Sequence, residues 1–280
     1  MKILKDTTTY KIYTEGSSFL KDWSPVLNKD INSQIQTTFF ILNANHYHRL
    51  DKRNYAISIE NEKQFLLILK CEPYNALVYG SFELVDFAAS ILIEHHFIVD
   101  KILAEEKVGN SFLEAYQKRA GGQYHLVHSM QILVLSELTK VDTKGASICK
   151  PEDLDILAQM NKSFYKEALH QELSIEEAKK NLKDNVKNFF VYKVNEAIVS
   201  MASIVRGMEG HSCISHVYTL PDYRGYGYAK KVVARTCEEI LKNKKIPYLF
   251  VDNANPIAYH IYTSLGFSYL IDQAEYQYIK

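Results

Sequence analysis

The most constraining feature of this 280-residue sequence is a strand, a glycine-bearing turn and a helix in direct succession. Residues 216–229 leave a β-rich stretch, cross Gly225 and Gly227, and enter a run with helical periodicity. In such a turn, successive backbone N–H groups converge on one point, and the positive end of the following helix adds to their attraction for an anion. The segment therefore predicts a diphosphate-binding turn, although a Gly-x-Gly pair alone is equally typical of a plain strand-to-helix connection.

The order of predicted elements indicates two related halves. Helices interrupted at Pro25, a meander, a helix, a strand, a helix and a strand are predicted in residues 15–138, and broadly the same order returns in residues 146–278. We therefore predict an α+β fold with two tandem domains, 1–140 and 145–280, joined by a short polar linker. The last strand, residues 267–278, is expected to close the sheet of the second half.

Composition and charge argue against several classes of protein. Lys plus Arg (33) equals Asp plus Glu (33), so no overall field attracts nucleic acid or an anionic membrane. The four cysteines lie far apart, which gives no zinc or redox motif. The sequence predicts neither a signal peptide nor a membrane-spanning segment. We expect a cytoplasmic protein without a metal, nucleic-acid or membrane partner, and its oligomeric state stays open.

A second informative segment, residues 252–267, follows another predicted strand. Asn255 suits the N-cap of a helix and Pro256 its first position. Three apolar side chains spaced by four residues are expected to form its core stripe: Ile257, Ile261 and Leu265. These features could all be structural. A buried Tyr262 would equally suit such a helix, because the chain contains 20 tyrosines.

Taken together, the two segments resemble the acyl-CoA-binding motifs of the GNAT superfamily. The first carries Arg224-Gly225-x-Gly227-x-Ala229. The second matches at five positions: Asn255, Ala258, Tyr262, Gly266 and Phe267. The resemblance covers roughly residues 145–280 and implies the GNAT fold, a mostly antiparallel sheet flanked by helices. It also implies an N-acetyltransferase that uses acetyl-CoA. The first half resembles a degenerate copy, because residues 77–82 contain no such glycine motif.

The resemblance also assigns roles to individual residues. Asn255 is expected to bond the pantetheine arm, and the Tyr262 hydroxyl to protonate the departing thiolate. A phenol suits this task because it is neutral at pH 7 and can donate a proton without a shifted pKa. The complete predicted cofactor-binding set is Val217, Tyr218, Thr219, Arg224, Gly225, Tyr226, Gly227, Tyr228, Ala229, Asn255 and Ala258.

The general base is less well defined. In this family it often lies on the strand that leads to the phosphate turn, where this chain has no carboxylate. Strand alternation places His211, Cys213, Ser215, Val217 and Thr219 on one face and His216 on the other. His211 is the candidate base, although a lone histidine is more often a packing residue. For Glu167, His170 and Glu172 at a predicted helix end, solvation is favoured over a place beside the acceptor.

The acceptor cannot be read from the sequence, which leaves a small-molecule amine and a peptide both open. Two alternatives to an acetyltransferase remain. The chain could be a non-catalytic acyl-CoA sensor or scaffold, an idea motivated by the missing strand carboxylate. It could also transfer an aminoacyl group from tRNA, but a zero net charge and the glycine turn make this a weaker hypothesis.

Overall fold

The computed structural model of the protein describes residues 8–279. Its strands are β1 (Thr9–Tyr13), β2 (Tyr55–Glu60), β3 (Phe65–Lys70), β4 (Ala76–Gly80), β5 (Lys101–Glu105), β6 (Gln123–Leu135), β7 (Ala146–Ile148), β8 (Phe189–Val194), β9 (Ala197–Val205), β10 (His211–Thr219), β11 (Ile246–Asp252) and β12 (Phe267–Ile279). Its α-helices are α1 (Gly16–Leu27), α2 (Ile31–Ala44), α3 (Val85–Glu94), α4 (Glu106–Ala120), α5 (Leu154–Ala168), α6 (Ile175–Leu182), α7 (Tyr228–Lys242) and α8 (Pro256–Ser264).

The chain divides into two compact units that do not follow one another simply along the sequence. The first unit contains the residues up to Gln131 and those from Ile271 onward, and the second contains residues 132–270. Strands β6 and β12 therefore each contribute residues to both units. The boundary between residues 140 and 145, as a limit of independently folding domains, stays a prediction.

The sheet of the first unit runs in the order β1, β2, β3, β4, β5, β12. All neighbours are antiparallel except β4 and β5. One core lies under α1 and α2 and another under α3 and α4. The last strand was expected to close the second sheet, and β12 does lie beside β6. Its residues Gln273–Gln277 also pair with Lys101–Glu105 of β5, which the sequence did not predict.

The second unit repeats this plan with the strand order β6, β11, β10, β9, β8, β7. The pairs from β7 to β10 are antiparallel, and β10 and β11 are parallel. Side chains alternate along β8, so that Phe189 and Val191 join a core with α5 and α6, whereas Phe190 joins a core with α7 and α8. The sheet thus has an α5 face and an α7 face, and this distinction locates every residue of the candidate site.

Two local predictions in the first half needed correction, and one strand there was not predicted. Pro25 lies inside α1, and the break between the first two helices falls after Leu27 instead. The apolar residues from 97 to 103 predict a strand over that range, but β5 begins only at Lys101. Strand β1 was not predicted at all, because its polar and aromatic residues carry no clear alternation of apolar side chains.

Candidate active site

Strands β10 and β11 separate partway along their length. Their parallel ladder joins His211–Ile214 to Ile246–Leu249, and both strands then continue, β10 to Thr219 and β11 to Asp252. Beyond the ladder, the backbone N–H and C=O groups on the facing edges of β10 and β11 do not hydrogen-bond to each other. An extended ligand arm can bind such edges much as an added strand would.

A β-bulge in β10 lies at this point of separation. The register with β9 shifts between Ser215 and Tyr218, and His216 has a φ of 50°. As a result Ile214 packs in the core of the α7 face, whereas Tyr218, four residues later, packs in the core of the α5 face. The simple alternation assumed from the sequence was therefore wrong. Val217 contacts the α7-face core, and His216 lies on the α5 face.

The turn before α7 has the geometry expected of an anion-binding loop. Gly225 and Gly227 have φ values of 84° and 78°, a region that favours glycine, and an added Cβ at either would meet no atom within 4 Å. Gly227 is the N-cap of α7, and no side chain of the described residues caps this end. The first N–H groups of the helix, from Tyr228 and Ala229 onward, therefore have no partner within the helix. Open space and unsatisfied donors coincide here.

Arg224 is held in place by a polar network with α5. Its guanidinium donates to Glu167 Oε2 at 2.7 Å and to the carbonyl oxygen of Thr219 at 3.0 Å. Tyr218 donates its hydroxyl to the other oxygen of Glu167, also at 2.7 Å. Partial burial raises the pKa of Glu167, but these hydrogen bonds lower it further, so that the pKa lies below its ordinary value. Glu167 therefore stays ionised and fixes the start of the turn against α5.

Three tyrosines form a stack beside the turn. The rings of Tyr192 and Tyr228 are stacked at a centroid distance of 4.8 Å, and Tyr226 stacks on Tyr228 at 5.8 Å. Lys231 places its ammonium 5.4 Å from the centre of the Tyr192 ring. Tyr226 ends the stack with 69% of its surface exposed. The turn thus presents an aromatic ring to solvent between its two glycines.

Helix α8 begins as the sequence predicted. The side chain of Asn255 caps it by accepting a hydrogen bond from the N–H of Ala258 at 3.0 Å, and Pro256 is the first helical residue. One part of the expected core stripe was wrong. Leu265 is buried, but Ile257 is 75% exposed, because the first turn of this short helix extends away from the core.

Tyr262 points from α8 into the core of the α7 face. It is 7% exposed, and its ring lies edge-on to Phe267 at a centroid distance of 6.0 Å. Burial raises its pKa, and the nearby Cys213 thiol acts in the same direction, so the phenol stays protonated at neutral pH. Among the described residues, no hydrogen-bond partner engages its hydroxyl.

His211 lies at the closed end of the strand pair, away from the turn. It is 1% exposed and pairs with Ile246 at the first residue of β11. Its ring lies edge-on to Tyr248 at 5.2 Å. Burial, and then the charge of Lys245, lowers its pKa to about 4. A base must reach the acceptor, so the position of His211 gives no support to the predicted catalytic role.

The remaining predicted residues lie around the turn and the separated strands. Thr219 ends β10, and its hydroxyl is 2.8 Å from the hydroxyl of Ser200 on β9. Ala229 is in the first turn of α7, and Ala258 packs against the α7-face core. Within residues 8–279, no group of three or more His, Cys, Asp or Glu side chains could hold a metal ion. No helix in this part of the chain is long and apolar enough to cross a membrane.

The sequence interpretation missed the role of Glu167. Its helix end was expected to be solvated, which holds for His170 and for Glu172, whose partner Lys166 is itself exposed. Glu167 is exposed as well, but it also contacts Arg224, 57 residues further along the chain. The sequence contains only one indication of this contact, namely that an arginine in the glycine turn requires a carboxylate partner. Many other carboxylates in the chain could have been that partner.

Comparison with known proteins gives a family match for one segment of the chain. Residues 154–267 match the model of the acetyltransferase (GNAT) family, so this segment is a GNAT domain. It includes both the glycine turn and all of α8. No curated protein shows significant similarity to the chain.

Solved structures show the same fold over nearly the whole chain. A GNAT-family acetyltransferase from Colwellia psychrerythraea has 11% sequence identity and a TM-score of 0.63, covering 97% of this chain and 100% of that one. A GCN5-related N-acetyltransferase from Sphaerobacter thermophilus has 12% identity and a TM-score of 0.60, with coverages of 99% and 98%. A tandem GNAT protein from the clavulanic acid biosynthesis pathway has 10% identity and a TM-score of 0.53, with both coverages 98%. The predicted fold, GNAT with a mostly antiparallel sheet, is thus confirmed.

Proposed function

We propose that the second half of the chain is an acyl-CoA-dependent N-acetyltransferase that transfers acetyl from acetyl-CoA to a primary amine of a small molecule or peptide. The observation that carries this proposal is the turn at Gly225 and Gly227. There, an uncapped helix end and open space lie directly after a strand that has separated from its neighbour. Diphosphate and an extended pantetheine arm are the two chemical features that such a site complements.

The residues present fit acetyl-CoA at each of its parts. Backbone N–H groups of residues 225–229 would hold the diphosphate, because they converge at the positive end of α7. The separated edges of β10 and β11 would bind the arm, and Asn255 retains its amide N–H₂ for it, since only its oxygen caps α8. Tyr226 offers an exposed ring on which the nucleobase of acetyl-CoA can stack.

Acetyl-CoA supplies an activated acetyl group as a thioester. The protein must then orient the acceptor nitrogen, remove its proton and provide a proton for the sulfur. We assign the last task to Tyr262, whose protonated phenol lies in the core of the α7 face, near the Cys213 thiol of β10. The neutral phenol donates without adding a negative charge to the unreacted site.

Acetyl transfer with a panel of amines tests the proposal. The full-length chain would be incubated with acetyl-CoA and glycine, L-lysine, spermidine, tyramine or a short peptide with a free N-terminus, and free CoA thiol measured. Acceptor-dependent release of CoA, with the acetylated amine identified by mass spectrometry, is the expected result. Tight binding of acetyl-CoA without turnover on any amine would instead favour the alternative, an acyl-CoA sensor or scaffold.

We also expect one acetyl-CoA to bind per chain. In the first unit, β4 ends at Gly80, where an added Cβ would lie 2.3 Å from the carbonyl oxygen of Phe65. The chain then passes through Ser81 and a short 3-10 turn into α3, and residues 80–94 contain no pair of left-handed glycines. Calorimetric titration of the full-length chain with acetyl-CoA measures the stoichiometry. Two sites of similar affinity would contradict the interpretation of the first half as degenerate.

A further inference from the structure

We propose that His216, and not His211, is the catalytic base that takes the proton from the acceptor nitrogen. This inference rests on the proposed function and adds to it a residue that sequence alternation had directed away from the site. It is carried by the position of His216 in the strand, by the hydrogen bond that holds its ring, and by the opposite placement of Tyr262.

His216 lies where the two central strands part. The β10–β11 ladder ends at Ile214, and His216 follows two residues later, at the bulge. His211 is five residues earlier, roughly 15 Å away along an extended strand, at the closed end of the ladder. A base beside the acetyl group must line the opening between the strands. Of the two histidines on β10, only His216 lies beyond the last residue of the ladder.

The base and the acid would act from opposite faces of the sheet. His216 contacts Phe164 of α5 at a ring distance of 5.2 Å and Phe189 at 5.4 Å, both on the α5 face. Tyr262 belongs to the core of the α7 face. If the thioester of acetyl-CoA is held in the gap between β10 and β11, the acceptor therefore approaches the acetyl carbon from the α5 face. The thioester sulfur receives its proton from the α7 face.

The hydrogen bonds of Ser203 select the tautomer that a base requires. The Ser203 hydroxyl lies 2.8 Å from His216 Nδ1 and donates to the carbonyl oxygen of Ser215 at 3.3 Å. A serine hydroxyl has a single hydrogen, and a carbonyl can only accept. Both contacts are satisfied when Nδ1–H donates to Ser203, which leaves the lone pair on Nε2. No described residue hydrogen-bonds Nε2, so it is available to a substrate.

The surroundings of His216 keep its ring neutral. Burial among the aromatic rings, and then the charge of Arg206, lowers its pKa to about 4. At pH 7 the lone pair on Nε2 is therefore present in essentially every molecule. A weak base of this kind removes a proton readily only after the nitrogen has begun to bond to the acetyl carbon, because bonding makes the N–H acidic.

The proton balance is complete with the groups named. The acceptor nitrogen, as a free amine, forms a bond to the acetyl carbon and gives one proton to His216 Nε2. The carbon–sulfur bond breaks, and the sulfur takes the bonding electrons and one proton from Tyr262. Solvent then returns a proton to Tyr262 and receives one from His216. Amide and CoA thiol are the only products.

The tautomer of His216 can be measured without substrate. Nitrogen-15 NMR of the imidazole in the full-length chain distinguishes a protonated from a bare ring nitrogen, and His216→Asn assigns the signal. We expect Nδ1 protonated and Nε2 bare at pH 7, with Ser203→Ala weakening this preference. A ring protonated at Nε2 would overturn the proposal, whether or not the protein proves to be an acetyltransferase.

Chemical rescue tests the catalytic step itself. Glycine tolerates the φ of 50° at this position, so His216→Gly keeps the bulge and leaves a hole the size of the ring. With acetyl-CoA and the best amine of the panel, we expect single-turnover transfer to fall by roughly 10²–10⁴-fold and to recover in part with added imidazole. The matched control His211→Ala is expected to show no rescue.

These outcomes separate the two proposals. A folded His216→Gly that transfers acetyl at the wild-type rate, or that imidazole does not rescue, would refute the role of His216 while the acetyltransferase assignment stands. If the wild-type chain neither binds acetyl-CoA nor transfers acetyl, the proposed function fails first. The NMR measurement then still reports whether Nε2 is bare.

Discussion

Replacing Tyr262 with phenylalanine is expected to slow single-turnover acetyl transfer by roughly 10²–10⁴-fold, the usual contribution of general acid catalysis. The change removes only the hydroxyl and keeps the ring that packs against Phe267. No described residue hydrogen-bonds this hydroxyl, so the fold is expected to be retained. Because the proton is needed as the thiolate leaves and not when acetyl-CoA binds, the affinity for acetyl-CoA should change little.

The measurement combines rapid-quench acetyl transfer with calorimetric binding of acetyl-CoA. Single turnover is preferred because slow product release would hide part of the effect in kcat. Tyr259→Phe, on the same helix and 38% exposed, is the matched control and is expected to keep the wild-type rate. If Tyr262→Phe also transfers acetyl at the wild-type rate, Tyr262 is a packing residue and the proton comes from water or another group.

The second large effect is expected for Gly227→Glu, which we predict to remove measurable acetyl-CoA binding. A side chain at this position would enter space that no protein atom occupies within 4 Å of the added Cβ. In our proposal the diphosphate lies there, so two like charges would meet at the end of α7. Such a contact costs several kcal/mol, which corresponds to a loss in affinity of at least about 100-fold.

Gly227→Gln separates charge from backbone strain. Both substitutions impose a side chain on a residue with φ of 78°, and only the glutamate adds a negative charge. We expect both variants to bind more weakly than the wild type, with glutamate much worse than glutamine in the same calorimetric titration. Circular dichroism and thermal unfolding confirm that the variants are folded. Undiminished acetyl-CoA affinity in folded Gly227→Glu would refute the assignment of the turn to the diphosphate.

Local sequence patterns predicted much of the second unit. The bounds of β8, β9 and β10 agree with the alternating apolar residues and the turn signals between them. The capped start of α8 followed from Asn255 and Pro256, since capping depends on residues within one turn of each other. The glycine turn before α7 was equally local. Such features can be predicted from the sequence because the interactions that form them span only a few residues.

The first unit was harder to predict for the same physical reason. Strand β1 has few apolar residues and is held by pairing with β2, more than 40 residues away. The apolar run from residue 97 looks like a strand, but Phe97 and Val99 pack into the core before β5 begins. Propensity is a weak guide where a tertiary partner decides whether a segment pairs or packs.

The sequence by itself determined the GNAT type of the second half, its glycine turn before α7 and its capped α8, because these depend on short-range backbone chemistry. Only the tertiary structure decided that β12 pairs with β5, that Glu167 holds Arg224, and that a bulge places His216 on the α5 face. Each of these depends on a hydrogen bond or a register between segments distant along the chain. One extra residue in a strand reverses the face of every side chain beyond it, and nothing in the local pattern of β10 records that reversal.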